Sequence, residues 1–157
     1  GETFVTKKIV NALCKIKLGL QKKLYLGNLD AKRDWGHAAD YVEAMWKILQ
    51  QKMSDDFVIA TGKQYSVKQF VNFVSKKLGM KITWQGKGLK EKGIDALTKK
   101  IIIECDKNYF RPLDVNTLLG DAKKARKKLK WKPKINITQL VDDMVTEELA
   151  VLKNYVE

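Results

Sequence analysis

Two arginines of the sequence have neighbours that suit the binding of a phosphate. Arg33 comes just before a predicted helix, whose first backbone N–H groups are also free to meet an anion. Arg111 is followed by Pro112, which restricts the backbone of a predicted loop, and Asp114 comes three residues after the arginine. A guanidinium binds phosphate oxygens in pairs, and a nearby carboxylate can accept from ribose hydroxyls. The two segments together suggest a nucleotide-diphosphate clamp, although spacing alone favours a solvated charge at Arg33.

Most sequence motifs that carry catalysis are missing. His37 is the single histidine, which excludes a metal site built on several histidines. No Gly-x-Ser-x-Gly, Walker or complete Gly-x-Gly-x-x-Gly motif is present, and Gly86-Lys87-Gly88 does not open a predicted helix. No tyrosine has a lysine four residues after it, which excludes the common Tyr-x-x-x-Lys proton-transfer pair. We therefore expect no metal site in this chain. We also expect a structural hydrogen bond for His37, as for most single histidines in the first turn of a helix.

The length of 157 residues suits one domain with a sizeable core. No apolar run approaches the ~20 residues that cross a bilayer, and the first residues do not resemble a signal peptide. The net charge of +13 comes from lysines that are dense only from Lys123 to Lys134, so solvated helix faces are the first interpretation. Cys14 and Cys105 form no Cys-x-x-Cys unit, which favours buried, reduced thiols in a cytoplasmic protein. The sequence does not begin with Met, which suggests a piece of a longer chain.

Arg33 lies between a predicted strand and a predicted helix. Residues 23–26 form a short strand that ends at a turn signal. Asp34 is the predicted N-cap of a helix over residues 35–50, and residues 57–60 predict a buried strand. Apolar residues at helical spacing make one face of that helix. They are Ala38, Tyr41, Val42, Met45, Trp46 and Leu49.

The rest of the chain alternates helices with strands, which indicates an α/β or α+β class. The first helix is predicted over residues 4–18 and ends near Gly19, and another starts at a capping box of Ser66 and Gln69 and stops at Gly79. Two strands are predicted over 82–84 and 100–105, separated by a mobile loop over 86–100, and a further loop over 108–114. A basic helix runs from Gly120-Asp121 to Leu129, and a last helix is capped by Asn136 and Gln139.

Five motifs carry a resemblance to one enzyme family. The run GNLDAKRDWGHAADYVEAMW at residues 27–46 closely resembles the signature of the GDP-mannose 4,6-dehydratases. Further stretches resemble motifs of the same family in the same order. They are FVTKKI at 4–9, DFVIATG at 56–62, YFRPLDV at 109–115 and LLGDAKKARKKLKWKPK at 118–134. Agreement in order over nearly the whole chain is far more specific than any single motif.

The resemblance implies that residues 1–157 are the C-terminal, GDP-sugar-binding half of an extended short-chain dehydrogenase/reductase. The implied fold is α/β, with mixed helices and short strands. One or two elements, the helix over 35–50 and the strand over 57–60, would belong to the NADP-binding Rossmann sheet. The N-terminal half would hold the glycine-rich NADP turn and the catalytic residues, and would lie outside this chain. The complete enzyme is then expected to be a homo-oligomer.

The family's reaction and its site residues follow from the same resemblance. The complete enzyme would convert GDP-mannose to GDP-4-keto-6-deoxy-mannose, with hydride transfer between the sugar and NADP and loss of water across C5–C6. This chain alone would bind no cofactor and be inactive. The residues that carry over to substrate binding are Val5 and Lys8 near the guanine and phosphate, Arg33 and Arg111 on the diphosphate, and Asp114 near the ribose. Three positions depart from the family's usual residues: Lys7 for Arg, Ala39 for Lys and Asp114 for Glu.

Two other interpretations stay open. The chain could be half of another sugar-nucleotide reductase or epimerase, or a basic module that binds polyanions through residues 122–132. A membrane is not an expected partner, and neither is a nucleic acid. For the dehydratase interpretation, we expect an exposed apolar surface and self-association, because elements that normally cover the nucleotide-binding sheet would lack it. Trp35 and Tyr41 are expected to be packing residues. The residues expected to be exposed are Val42, Met45, Trp46, Val58 and Ile59.

Overall fold

The computed structural model describes residues 4–110 and 115–153 of the chain. Within these ranges, five α-helices, six strands and two 3₁₀ turns follow one another along the sequence. Their bounds are α1 (Val5–Lys17), β1 (Leu24–Leu26), β2 (Lys32–Arg33), α2 (Ala38–Leu49), β3 (Tyr65–Ser66), α3 (Val67–Lys77), β4 (Ile82–Gln85), a 3₁₀ turn (Gly88–Lys90), β5 (Lys92–Asp95), β6 (Ile101–Cys105), a 3₁₀ turn (Lys107–Tyr109), α4 (Lys123–Lys128) and α5 (Ile137–Lys153). The mixture confirms the predicted α/β class.

Four of the strands form a mixed sheet in the order β1-β6-β5-β4. β1 runs parallel to β6, with Leu24 opposite Ile103, and the other two pairs are antiparallel. β2 and β3 form a separate two-stranded antiparallel sheet, in which Arg33 lies opposite Tyr65. Helices α1, α3 and α5 pack on one another. The main core joins these helices to β1 and β6.

Local sequence signals explain where three helices begin or end. Ser66 accepts a hydrogen bond from the Gln69 backbone, and the Gln69 side chain accepts one from the Ser66 backbone, so the predicted capping box is confirmed. Asn136 and Gln139 make the same reciprocal pair ahead of α5. Gly19 follows the C-cap of α1 and has a φ of +76°, a value that glycine adopts without strain, so the helix does not continue past it.

A second, smaller core lies between α2, α4 and the segment 57–60. Trp131 is its largest side chain and is 1% exposed, and its indole N–H donates to the backbone carbonyl of Asp40 over 2.8 Å. The buried Asp40 carboxylate accepts from the backbone N–H groups of Lys134 and Ile135. Asp40 therefore ties the first turn of α2 to the segment that leads into α5.

The structure corrects three predictions about secondary structure. Residues 57–60 form no strand, because no strand among the described residues pairs with them through a ladder of hydrogen bonds. The predicted mobile loop over 86–100 instead contains a 3₁₀ turn and β5, which pairs with both β4 and β6. Asp34 does not cap α2; the N-cap is His37, and the helix begins at Ala38.

The outer face of α2 is apolar and exposed. Val42, Met45 and Trp46 are each 60–61% exposed, and Leu49 is 80% exposed. Val58 is 55% exposed, but Ile59 is half-buried against the smaller core, so its predicted exposure is wrong. No helix among the described residues is both long and apolar enough to span a bilayer.

Candidate functional site

Helix α1 carries two of the residues singled out by the sequence, one helical turn apart. Val5 is half-buried and packs against the main core, so it fixes this end of the helix. Lys8 is half-buried on a different side, and its Nζ lies 3.3 Å from the centre of the Tyr109 ring. An ammonium in this position is attracted to the negative face of the ring. Lys8 is thus directed toward the Tyr109 ring.

A cleft of about 280 Å³ opens beside this lysine. Polar side chains and two tyrosines make up most of its wall, and α1, β1 and Tyr109 supply them. The lining residues are Lys8, Asn11, Ala12, Gln21, Lys23, Leu24, Tyr25 and Tyr109. A cleft with an ammonium, amides and aromatic rings has the chemistry to accept a planar polar group next to a negative charge.

The position of Tyr109 depends on a close approach between two backbones. The N–H of Asp106 donates to the carbonyl of Leu26 over 2.8 Å, which brings the 3₁₀ turn Lys107–Tyr109 against the end of β1. A Cβ at Gly27 would lie 2.1 Å from the Tyr109 carbonyl oxygen. Only glycine leaves room for this contact, which explains why a glycine follows β1.

Arg33 is held on β2, a strand with neighbours on both sides. One neighbour is β3; on the other side the backbone of Lys32 bonds with Asn116 and Leu118. The Arg33 Nη1 donates to the carbonyl of Val115 over 2.6 Å and to that of Lys32 over 2.8 Å. Arg33 is therefore built into a three-segment ladder and is half-buried.

Lys8 and Arg33 contact the chain on either side of residues 111–114. Lys8 lies against Tyr109, and Arg33 binds the carbonyl of Val115. Arg111 and Asp114, which are also predicted to bind substrate, lie outside the described residues. The structure thus brings two of the predicted cations to the two ends of the segment that contains Arg111 and Asp114.

The Asp34 carboxylate binds a turn that is 27 residues away in sequence. Its Oδ1 accepts from the N–H of Thr61 over 3.0 Å and from the Thr61 hydroxyl over 2.5 Å, and its Oδ2 accepts from the N–H of Gly62 over 2.8 Å. The opposite side of the turn accepts a hydrogen bond from Arg126 of α4. Sequence reasoning missed this contact, since Asp34 also stands where a helix cap is expected.

The other side chains around Arg33 have structural roles. The Nδ1 of His37 accepts from the N–H of Ala39, which caps α2 and confirms the predicted structural hydrogen bond. Trp35 packs on Phe70 with ring centres 5.0 Å apart, and Tyr41 packs on Trp131 at 6.5 Å. These contacts confirm that Trp35 and Tyr41 are packing residues.

A buried carboxylate on α5 fixes α1 beside the cleft. Glu148 is 2% exposed, forms an ion pair with Lys7 and accepts from the Asn11 side chain over 2.6 Å. Burial, and next the Glu148 charge, raise the pKa of the Cys14 thiol to about 11. Cys14 is a free, buried thiol, whereas Cys105 is free but half-buried. Sequence reasoning missed Glu148, because a glutamate within a helical pattern ordinarily faces solvent.

The comparison with known proteins identifies the family. A family described as "GDP-mannose 4,6 dehydratase" matches residues 1–144. The chain belongs to this family. It is 47% identical to the GDP-mannose 4,6-dehydratase of Vibrio cholerae over 99% of this chain and 44% of that protein. The corresponding protein of Sinorhizobium fredii is 50% identical over 98% of this chain and 44% of its own length. The chain thus spans less than half the length of these relatives.

Solved structures show the same fold at low sequence identity. RMD from Pseudomonas aeruginosa, complexed with NADPH, superposes with a TM-score of 0.76 at 16% identity, covering 96% of this chain and 44% of that one. The dTDP-glucose 4,6-dehydratase of Bacillus anthracis, in complex with NAD, gives a TM-score of 0.69 at 18% identity, covering 98% of this chain and 41% of that one. The chain therefore has the fold of a part of these two proteins.

Proposed function

We propose that this chain is the GDP-sugar-binding part of a GDP-mannose 4,6-dehydratase, a lyase. The observation that carries the proposal is the placement of Lys8 and Arg33 at the two ends of the segment 111–114, in a chain of this family. Two cations on either side of a short segment suit a diphosphate, which spreads its charge over several oxygens. The complete enzyme would convert GDP-mannose to GDP-4-keto-6-deoxy-mannose.

The proposed roles divide the substrate between the residues. Arg33 and Arg111 bind the diphosphate, Asp114 accepts from the ribose, and Lys8 with Val5 borders the guanine and the adjacent phosphate. The rigid ladder around Arg33 supports its role, because a prepositioned guanidinium loses little conformational freedom on binding. The replacement of Glu by Asp at position 114 shortens that side chain by one methylene, so its contact with the ribose depends on a closer approach.

NADP would be held by the part of the enzyme outside this chain, where it supplies the hydride acceptor and donor. Gly86 and Gly88 do not suit that group, because they lie between two antiparallel strands, β4 and β5, rather than at a turn from strand to helix. This chain's own contribution is to bind and orient the GDP-sugar. By itself it would be inactive, and the complete enzyme would be a cytoplasmic homo-oligomer.

The apolar outer face of α2 and the segment 57–60 would meet the NADP-binding part. Trp46 and Val58 are more than half exposed, and the segment 57–60 has no strand paired with it among the described residues. A sheet strand beside residues 57–60 would satisfy their backbone and cover these side chains.

A basic polyanion-binding module is less well supported. Lys124 and Lys128 of α4 both pair with Asp55, and Arg126 donates to the Thr61 carbonyl. Three of the six residues of α4 are thus cations that already form ion pairs or a hydrogen bond within the chain. The interpretation that the chain is half of another sugar-nucleotide enzyme is also less well supported, since the two similar proteins described above are GDP-mannose 4,6-dehydratases.

A chimera tests the proposal. The chain would replace the matched segment of the Vibrio cholerae relative, and loss of water from GDP-mannose would be followed by mass spectrometry. We expect turnover with NADP, which Arg33→Met reduces by raising KM, whereas Lys22→Met at an exposed position changes nothing. A folded chimera that turns over UDP-glucose but not GDP-mannose would overturn the substrate assignment.

A further inference from the structure

Asp34 satisfies three donors of a distant turn with one carboxylate. The donors are the N–H and hydroxyl of Thr61 and the N–H of Gly62. A carboxylate only accepts hydrogen bonds, so it suits a place where each neighbour donates. An asparagine would turn one amide N–H₂ toward a donor and lose at least one of these bonds.

The turn bound by Asp34 is itself tightly held. Gly62 has a φ of +77°, a conformation that favours glycine, and the turn also accepts the hydrogen bond from Arg126. A Cβ at Gly36 would lie 2.9 Å from the Thr61 side chain, so the chain just after Asp34 is packed against the same turn. The turn therefore gives Asp34 a rigid support rather than a mobile partner.

Arg33 directly precedes this anchored residue. Its backbone is paired with Tyr65 of β3, and Tyr65 follows the bound turn by three residues. The Arg33 guanidinium is fixed on the other side through Val115. Movement of the turn would therefore shift both strands that set the direction of the Arg33 side chain.

We infer that Asp34 is a positioning residue, which holds Arg33 in place for a diphosphate by anchoring the Thr61-Gly62 turn. The inference rests on the proposed function for the role of Arg33. Asp34 contacts the turn, not the substrate. It is needed for the strength of phosphate binding and not for binding of the nucleoside.

The test compares GDP with guanosine by isothermal titration calorimetry of the full chain, or of the chimera described above. We expect Asp34→Asn to weaken GDP binding roughly tenfold, the cost of one lost hydrogen bond to a charged group, and to leave guanosine binding unchanged. Thr61→Val removes the hydroxyl donor and should weaken GDP binding in the same direction, whereas Thr61→Ser retains it and should restore binding. Asp142→Asn, which breaks an exposed ion pair with Lys77 of α3, is the matched control.

A double-mutant cycle separates positioning from a general structural effect. If Asp34 acts through Arg33, then Arg33→Lys combined with Asp34→Asn costs less than the sum of the two single changes. Additive effects, or an equal loss of guanosine binding, would overturn the inference. An unmodified protein that binds no GDP would instead overturn the proposed function. In that case NMR relaxation of the Arg33 Nε–H decides the inference, which fails if Asp34→Asn leaves the order of this group unchanged.

Discussion

The ammonium of Lys8 lies over the ring of Tyr109, with Nζ 3.3 Å from the ring centre, and so joins α1 to the turn after β6. The two residues are 101 positions apart in the sequence, and neither is buried. The contact holds a cation at one end of the segment 111–114, and Arg33 holds the other end through the Val115 carbonyl. A substrate anion that binds near this segment would compete with the tyrosine ring for Lys8.

We expect Tyr109→Leu to release Lys8 and to destabilise the chain by about 0.5–1 kcal/mol, the value of an exposed cation–π contact. Tyr109→Phe keeps the ring and should leave the free energy of unfolding nearly unchanged. Urea denaturation of the two variants measures the difference. Equal losses for both would show that the hydroxyl, not the ring, stabilises this corner.

A second prediction concerns the glycine beneath the same turn. Gly27→Ala would place a Cβ 2.1 Å from the Tyr109 carbonyl oxygen, so the turn and β1 must separate. We expect a loss of at least about 2 kcal/mol of stability, because the clash is with backbone atoms that cannot rotate away. Gly19→Ala is the control: it has nothing within 4 Å and costs only the strain of a positive φ, about 1–2 kcal/mol. A smaller loss at position 27 than at position 19 would contradict the observed close approach.

The sequence predicted all five α-helices of the described residues and three of their six strands. It failed where the structure depends on a partner that is distant in the sequence. Ser66 with Gln69, and Gly19, act within a few residues, so the sequence shows them directly. The segment 57–60 has the composition of a buried strand, but a strand also needs a neighbour, and the described chain provides none. The sequence allows Asp34 either to cap a helix or to bind elsewhere. In the structure its carboxylate accepts hydrogen bonds from the Thr61-Gly62 turn, which begins 27 residues later.

The candidate site was predictable to a similar extent. The resemblance singled out Lys8 and Arg33, and both lie at the ends of one segment. It gave no sign of Tyr109 as the partner of Lys8, since a tyrosine in a loop has many possible neighbours. Nor could it show Glu148, whose burial depends on the packing of α1 against α5. Side chains that orient a ligand-binding residue come from the whole fold, so spacing along one segment does not reveal them.

The exposed face of α2 should control self-association. Trp46→Lys combined with Leu49→Lys replaces two exposed apolar side chains at 61% and 80% exposure, so the fold should persist while the mass in light scattering falls. Circular dichroism should be unchanged, because neither side chain belongs to a core. Ala44→Lys on the buried side of the same helix is the matched control and should unfold the smaller core. A monodisperse monomer of the unmodified chain would contradict the prediction.

Alkaline pH should lower the free energy of unfolding through Cys14. Burial raises the pKa of this thiol from 9.0 to about 11, so the folded chain keeps the proton over a range in which the unfolded chain loses it. The unfolded state then binds fewer protons, and the free energy of unfolding falls as the pH rises from about 9 to 11. Below pH 9 both states are protonated, so Cys14 adds no pH dependence there. Cys14→Ala should flatten the decline measured by urea denaturation between these two pH values. An unchanged slope in that variant would show that another group titrates in this range, and rapid alkylation of Cys14 at pH 8 would contradict its burial.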